Sequence, residues 1–215
     1  MHDDQSSPIA RSEVLPIFPT FIWKLQLEPS ISAGINREVL TKVGSVLATI
    51  SMGEGWQSEQ NWHELPELAG LVACVERAAA GVLRFLHVAH EGFDITACWV
   101  NVNAKGAAHR LHTHPNNFLS CVYYVQTHAG ADTVNFHDPR AQPSIIRPPV
   151  TRLTAENTDQ AVVHVQDGTL LLFPAWLPHS VDPNSSDRPR ISASCNIMFR
   201  GYSETMSKPL WTRGA

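Results

Sequence analysis

Lysine is scarce in this chain, with four among 215 residues, and no basic run is longer than two. The formal charge is −4 and the pI near 6.2. Phosphate binding relies on clustered Lys and Arg, so nucleic acid is disfavoured as an obligate partner. Long apolar runs are also missing. The strongest, Leu170 to Leu177, is broken by Pro174 and is far short of the roughly 20 residues a membrane helix needs. Met1–Pro8 carries acidic residues without an apolar stretch, so neither a secretory signal nor a membrane span is expected. There is no CxxC pair. Cys74, Cys98, Cys121 and Cys195 stand alone, two of them inside apolar runs, which predicts reduced, mostly buried thiols in a cytoplasmic protein and no disulfide framework.

With 43% hydrophobic and 17% charged residues the chain can bury a substantial core. Its length fits a single domain over 13–215, after a flexible tail at 1–12. Leu15 to Leu27 ends in alternation, with Phe21, Trp23, Leu25 and Leu27 on one face, which predicts an edge strand. Three- and four-residue apolar steps predict helices over about 32–51 and 65–90, and the polar segment 53–61 between them is expected to be a loop. From Asp94 the period becomes two. Strands are expected at Ile95–Asn103, Phe118–Gln126, Thr133–His137, Val162–Val165, Thr169–Phe173 and Ile191–Phe199. Such spacing gives a mainly β fold, a jelly-roll core over about 94–200 with the helices packed outside.

His112, His114 and His179 are the candidate metal ligands and hence the candidate catalytic centre. Taken singly, each reads better as an ordinary hydrogen-bonding histidine. Two histidines at i and i+2 on extended backbone share a face, and His179 follows an apolar strand where the chain leaves the core. Imidazole suits iron, zinc, copper or nickel, and three ligands on one side leave positions open for reaction. Arg190, Ser192, Ser194 and Asn196 form a polar stripe opposite Ile191, Ala193, Cys195 and Ile197. In that stripe Arg190 can grip a carboxylate with two parallel hydrogen bonds and Ser192 can add a third. Asn101, Asn103 and Tyr124 are candidate pocket residues. Tyr123 and Tyr124 point to opposite faces, and the pattern does not decide which faces the pocket. His109 is placed outside the ligand set. Asn116 and Asn117 are read as substrate contacts or strand caps, and Trp176 as an entrance wall or core filler.

Four segments carry a resemblance: Trp99-Val-Asn-Val-Asn, the run from His112 to Val125, Asn135-Phe-His-Asp-Pro-Arg, and Gly168 through Asn196. Together, over about 95–199, they resemble the 2-oxoglutarate- and Fe(II)-dependent oxygenases of double-stranded β-helix fold, especially a small bacterial branch related to prolyl 4-hydroxylases. The resemblance implies Fe(II) and 2-oxoglutarate as cofactors, with Arg190 and Ser192 on the distal carboxylate of the keto acid. It further implies dioxygen as co-substrate, hydroxylation of a small-molecule or peptidyl substrate, and succinate and CO2 as co-products. His114 stands where that superfamily has a carboxylate. Asp138 is the alternative third ligand. Two other readings remain open at this point: a three-His cupin-type dioxygenase without 2-oxoglutarate, and a non-catalytic metal-dependent binding module. Substrate identity stays open, as does oligomeric state, a homodimer included. The loops 53–64 and 138–160, with Pro143, Arg147, Pro148, Pro149 and Arg152, are expected to shape the pocket as an ordered lid.

Overall fold

The computed structural model describes residues 9, 11–140, 146 and 148–202. Most of the expected tail at 1–12 lies outside the described residues, as do Pro143 and Arg147 of the expected lid. Two antiparallel sheets face each other. The larger has the strand order β1 (Trp23–Gln26), β8 (Thr169–Pro174), β5 (Leu119–Gln126), β10 (Arg190–Phe199), β3 (Phe93–Asn103), β2 (Gly55–Gln57). The smaller runs β4 (His109–His112), β9 (His179–Val181), β6 (Thr133–His137), β7 (Gln160–His164). This is the jelly-roll architecture that alternation and turn spacing implied.

The N-terminal strand lies at a sheet edge, pairing only with β8. Trp23 and Leu27 pack on the core, whereas Phe21 and Leu25 stay exposed. The expected helix at 32–51 is two pieces, α1 (Pro29–Lys42) and the four-residue α2 (Gly44–Leu47). Val43 breaks it: at φ −92° and ψ 5° it leaves helical geometry while burying its side chain completely. The expected helix at 65–90 is α3 (Ala69–Phe85). Pro66 disfavours helical backbone at Leu65, which is extended, and short 3-10 turns at Trp62–Glu64 and Pro66–Leu68 precede the helix proper. His87, at φ 53°, lies beyond its end.

Both long helices cover one face of the larger sheet. Ile35 and Val39 of α1 and Leu71, Val75 and Val82 of α3 form one core with Val100, Val102, Ile191 and Ala193. Three of the four thiols do not stand alone. Cys195 is the direct cross-strand partner of both Cys98 and Cys121, and its Sγ donates to Cys98 Sγ at 2.9 Å. All three are free and buried. Segment 53–61, expected as a loop, contributes β2, which pairs Gly55 with Asn103 and Gln57 with Asn101. Three residues are too few to show a period.

Candidate metal centre

β4 and β9 are short, and their register decides the site: His112 pairs directly with His179. His114 is not on the same strand as His112, contrary to the expectation of one extended face. β4 ends at His112, and the backbone N–H of His114 donates instead to the carbonyl of Ala175 at 2.8 Å. That bond ties the His114 loop to the turn leading into His179. The potential ligand nitrogens of the three rings all lie within 4.8 Å of one another, the only such group of His, Cys, Asp and Glu among the described residues.

The ring tautomers follow from the neighbours. His112 Nδ1 lies 2.7 Å from the Arg110 carbonyl and His179 Nδ1 lies 3.0 Å from the Leu177 carbonyl. A ring nitrogen facing a carbonyl carries the proton, so Nε2 of each is a bare lone pair. His114 Nε2 and His179 Nε2 are 3.3 Å apart. Burial, and then the neighbouring histidines, press the His114 pKa down to about 3. Burial also lowers His179 to about 4, against the opposing pull of the Leu177 carbonyl. Neutral rings aimed at one point can share a cation, and the donor set fits Fe(II), as it fits zinc or nickel. Asp138 is not a member. Its carboxylate takes the Arg140 guanidinium at 2.6 to 3.2 Å, which holds it below the usual carboxylate range.

A cavity of about 500 Å³ adjoins the three rings, within the usual range for small-ligand sites. Its floor is the stripe Arg190, Ser192, Ser194 and Asn196 of β10, flanked by Asn101 and Trp99 of β3 and Tyr124 of β5. Asn101 Nδ2 reaches Ser194 Oγ at 3.3 Å, and Ser120 Oγ donates to Asn196 Oδ1 at 2.8 Å, so both amides have partners across the sheet. Of the two adjacent tyrosines, Tyr123 points to the helices, where its hydroxyl donates to Asn36 Oδ1 at 2.7 Å, and Tyr124 lines the cavity. Burial pushes Tyr124 up to about 12.

Arg190 is 3% exposed. One guanidinium nitrogen donates to the Thr133 carbonyl at 3.1 Å, while Nε is buried without a partner. Among the described residues no carboxylate lies within ion-pair distance of it. A buried cation lacking a counter-charge is costly, and a bound anion removes that cost.

Other expectations fall away from the cavity. Asn117 caps its own loop, donating to the Pro115 carbonyl and accepting from Thr96 Oγ1. Trp176 is 53% exposed. His109, by contrast, lines the cavity. Its three-residue step before His112 looks helical, and only the irregular pairing of β4 with β9 turns it inward. A separate groove of about 810 Å³, between β1 and α3, is mostly apolar and holds none of these histidines.

Residues 97–196 match the family described as "Putative 2OG-Fe(II) oxygenase". No curated protein is similar to the chain in sequence. Among solved structures, a prolyl-4-hydroxylase from Pseudomonas putida is 14% identical with a TM-score of 0.60, over 84% of this chain and 94% of that one. HygX from Streptomyces hygroscopicus, solved with nickel and 2-oxoglutarate bound, is 13% identical with a TM-score of 0.61, over 91% and 90%. A prolyl hydroxylase from Trichoplax adhaerens, in complex with a hypoxia inducible factor peptide fragment, is 14% identical with a TM-score of 0.59, over 87% of each. The chain shares the β core of these solved structures, and its central part, residues 97–196, is similar to the 2-oxoglutarate- and Fe(II)-dependent oxygenases.

Proposed function

We propose that the protein is a non-haem Fe(II) dioxygenase that hydroxylates a small-molecule or peptidyl substrate and converts 2-oxoglutarate and dioxygen to succinate and CO2. The observation that carries this reading is Arg190, a buried guanidinium without a counter-anion in the cavity that also holds three convergent imidazoles. His112, His114 and His179 would hold the iron. When bound, the metal supplies the redox chemistry that couples keto-acid decarboxylation to oxidation of a substrate C–H bond.

The chain's own residues bind and orient. Arg190 anchors the distal carboxylate, Ser192 adds a hydroxyl, and Tyr124 lies against the guanidinium with its ring centroid 5.8 Å from Cζ. The carbonyls of Arg110 and Leu177 hold the His112 and His179 rings in the ligating tautomer. Asn101 and Asn196, tied across the sheet, keep the floor rigid, which serves positioning. That HygX binds nickel and 2-oxoglutarate supports the cofactor assignment, and the peptide complex supports a peptidyl substrate as one option. No helix among the described residues is long and apolar enough to cross a membrane, and reduced thiols suit a cytoplasmic setting.

The test is succinate release by Fe(II)-loaded protein supplied with 2-oxoglutarate and dioxygen, alongside binding of the keto acid. Absence of both overturns the proposal. The all-histidine donor set favours one competitor, a cupin-type dioxygenase, which oxygen uptake independent of 2-oxoglutarate would identify.

A further inference from the structure

His109 stands on β4 three residues before His112, and its ring faces the same cavity. It belongs to the smaller sheet, whereas Asn103 belongs to the larger. His109 Nε2 and Asn103 Nδ2 are 3.0 Å apart, so the pair bridges the two sheets. Asn103 is the cross-strand partner of Arg190, and such partners project from the same face. Of the pair, His109 is the member that lines the cavity, and it stands near the guanidinium. The Arg190 charge adds to burial in lowering the His109 pKa to about 4, which is consistent with two close side chains and a neutral ring. A purely structural bridge would use both ends of the Asn103 amide. Here Oδ1 is buried without a partner.

The strand register sets a distance. His112 pairs with His179 and His109 with Val181, so three residues on β4 are matched to two on β9 across an irregularity. Two strand residues span roughly 7 Å. The backbone positions facing His109 and His112 are therefore about that far apart along β9, a spacing on the scale of a short diacid.

We propose that His109, braced by Asn103, is the end wall of the acid pocket and sets the length of the 2-oxo diacid, admitting five carbons and refusing six. The proposal rests on the reading of the cavity as a 2-oxoglutarate site. Protein loaded with nickel, titrated calorimetrically with 2-oxoglutarate and with its six-carbon homologue 2-oxoadipate, separates the two. Wild type is expected to prefer the shorter acid by roughly tenfold or more, the usual effect of one methylene in a fitted pocket. His109→Ala should shrink that preference by about tenfold, mainly by tighter 2-oxoadipate binding, with nickel affinity unchanged. His109→Gln, which refills the space, should restore it. Asn103→Ala frees the ring without removing it and should narrow the preference in part, which keeps the idea testable if His109→Ala does not fold. An unchanged affinity ratio in His109→Ala and Asn103→Ala, with wild type binding 2-oxoglutarate, overturns the end-wall assignment alone. Wild type that binds neither acid overturns the 2-oxoglutarate reading and the wall with it.

Discussion

On the helix side of the larger sheet, Ile191, Ala193, Cys195 and Ile197 of β10 close a core with Val100, Val102 and Tyr123. On the other side of the same strand, Arg190, Ser192, Ser194 and Asn196 border a cavity. All eight β10 residues are buried. The apolar face is satisfied by contact alone, and each such side chain stabilises the fold. The polar face keeps a cation whose Nε has no partner, so it costs stability until something binds. One strand thus serves two ends. Its odd and even positions should respond to mutation in opposite ways.

The largest effect is expected across the cavity from that strand. His179→Ala removes the buried member of the proposed ligand trio and should lower Fe(II) or nickel affinity by at least about a hundredfold, read by anaerobic metal titration. Undiminished affinity would sink the three-histidine assignment. Arg190→Met should weaken 2-oxoglutarate binding by about a hundredfold or more, and the melting temperature of the ligand-free protein should hold or rise because a lone buried charge is gone. A large loss of ligand-free stability would instead make Arg190 a structural residue. Its neighbour offers the mirror image. Ile191→Ala should cost about 2–5 kcal/mol in chemical denaturation while leaving the three imidazoles in place. Ser192→Ala trims one hydrogen bond and should raise the 2-oxoglutarate dissociation constant by about tenfold at most.

A further prediction concerns pH. His109, His114 and His179 are held neutral, at about 4, 3 and 4 against 6.5 in the unfolded chain. Below about pH 6.5 the unfolded chain takes up protons that the folded protein refuses, so stability falls as pH drops toward 4. Above pH 7 these groups contribute no slope. Thermal melts of chelator-treated protein check the sign, and a flat profile from pH 7 to 4.5 would contradict it. Ile191→Ala should move the whole curve down without changing its slope.

The two faces were not equally legible. Alternation along 190–199 separates the polar from the apolar set of β10 because strand geometry imposes a period of two and needs no partner to be named. The same pattern cannot distinguish Tyr123 from Tyr124. That choice depends on α1, whose Asn36 takes the Tyr123 hydroxyl. His112, His114 and His179 stand out as residues. Yet the shared strand face expected for the first two is absent, and a loop bond to Ala175 brings His114 in. Asp138 is an open competitor in the chain and is occupied by Arg140 in the fold. His109, Asn103 and the row of three thiols were illegible as groups, because their partners lie on other strands and only register aligns them.

Local composition by itself determined the β-rich class, the apolar and polar sides of β10, and the identity of the donors available for a metal and an acid. Those properties follow from backbone periodicity and side-chain chemistry, which act over a few neighbouring residues. Tertiary structure alone decided which donors meet, which arginine is left without an anion, and how far it stands from the imidazoles. Such facts depend on pairing between strands tens of residues apart, where one step of register turns a side chain to the opposite face.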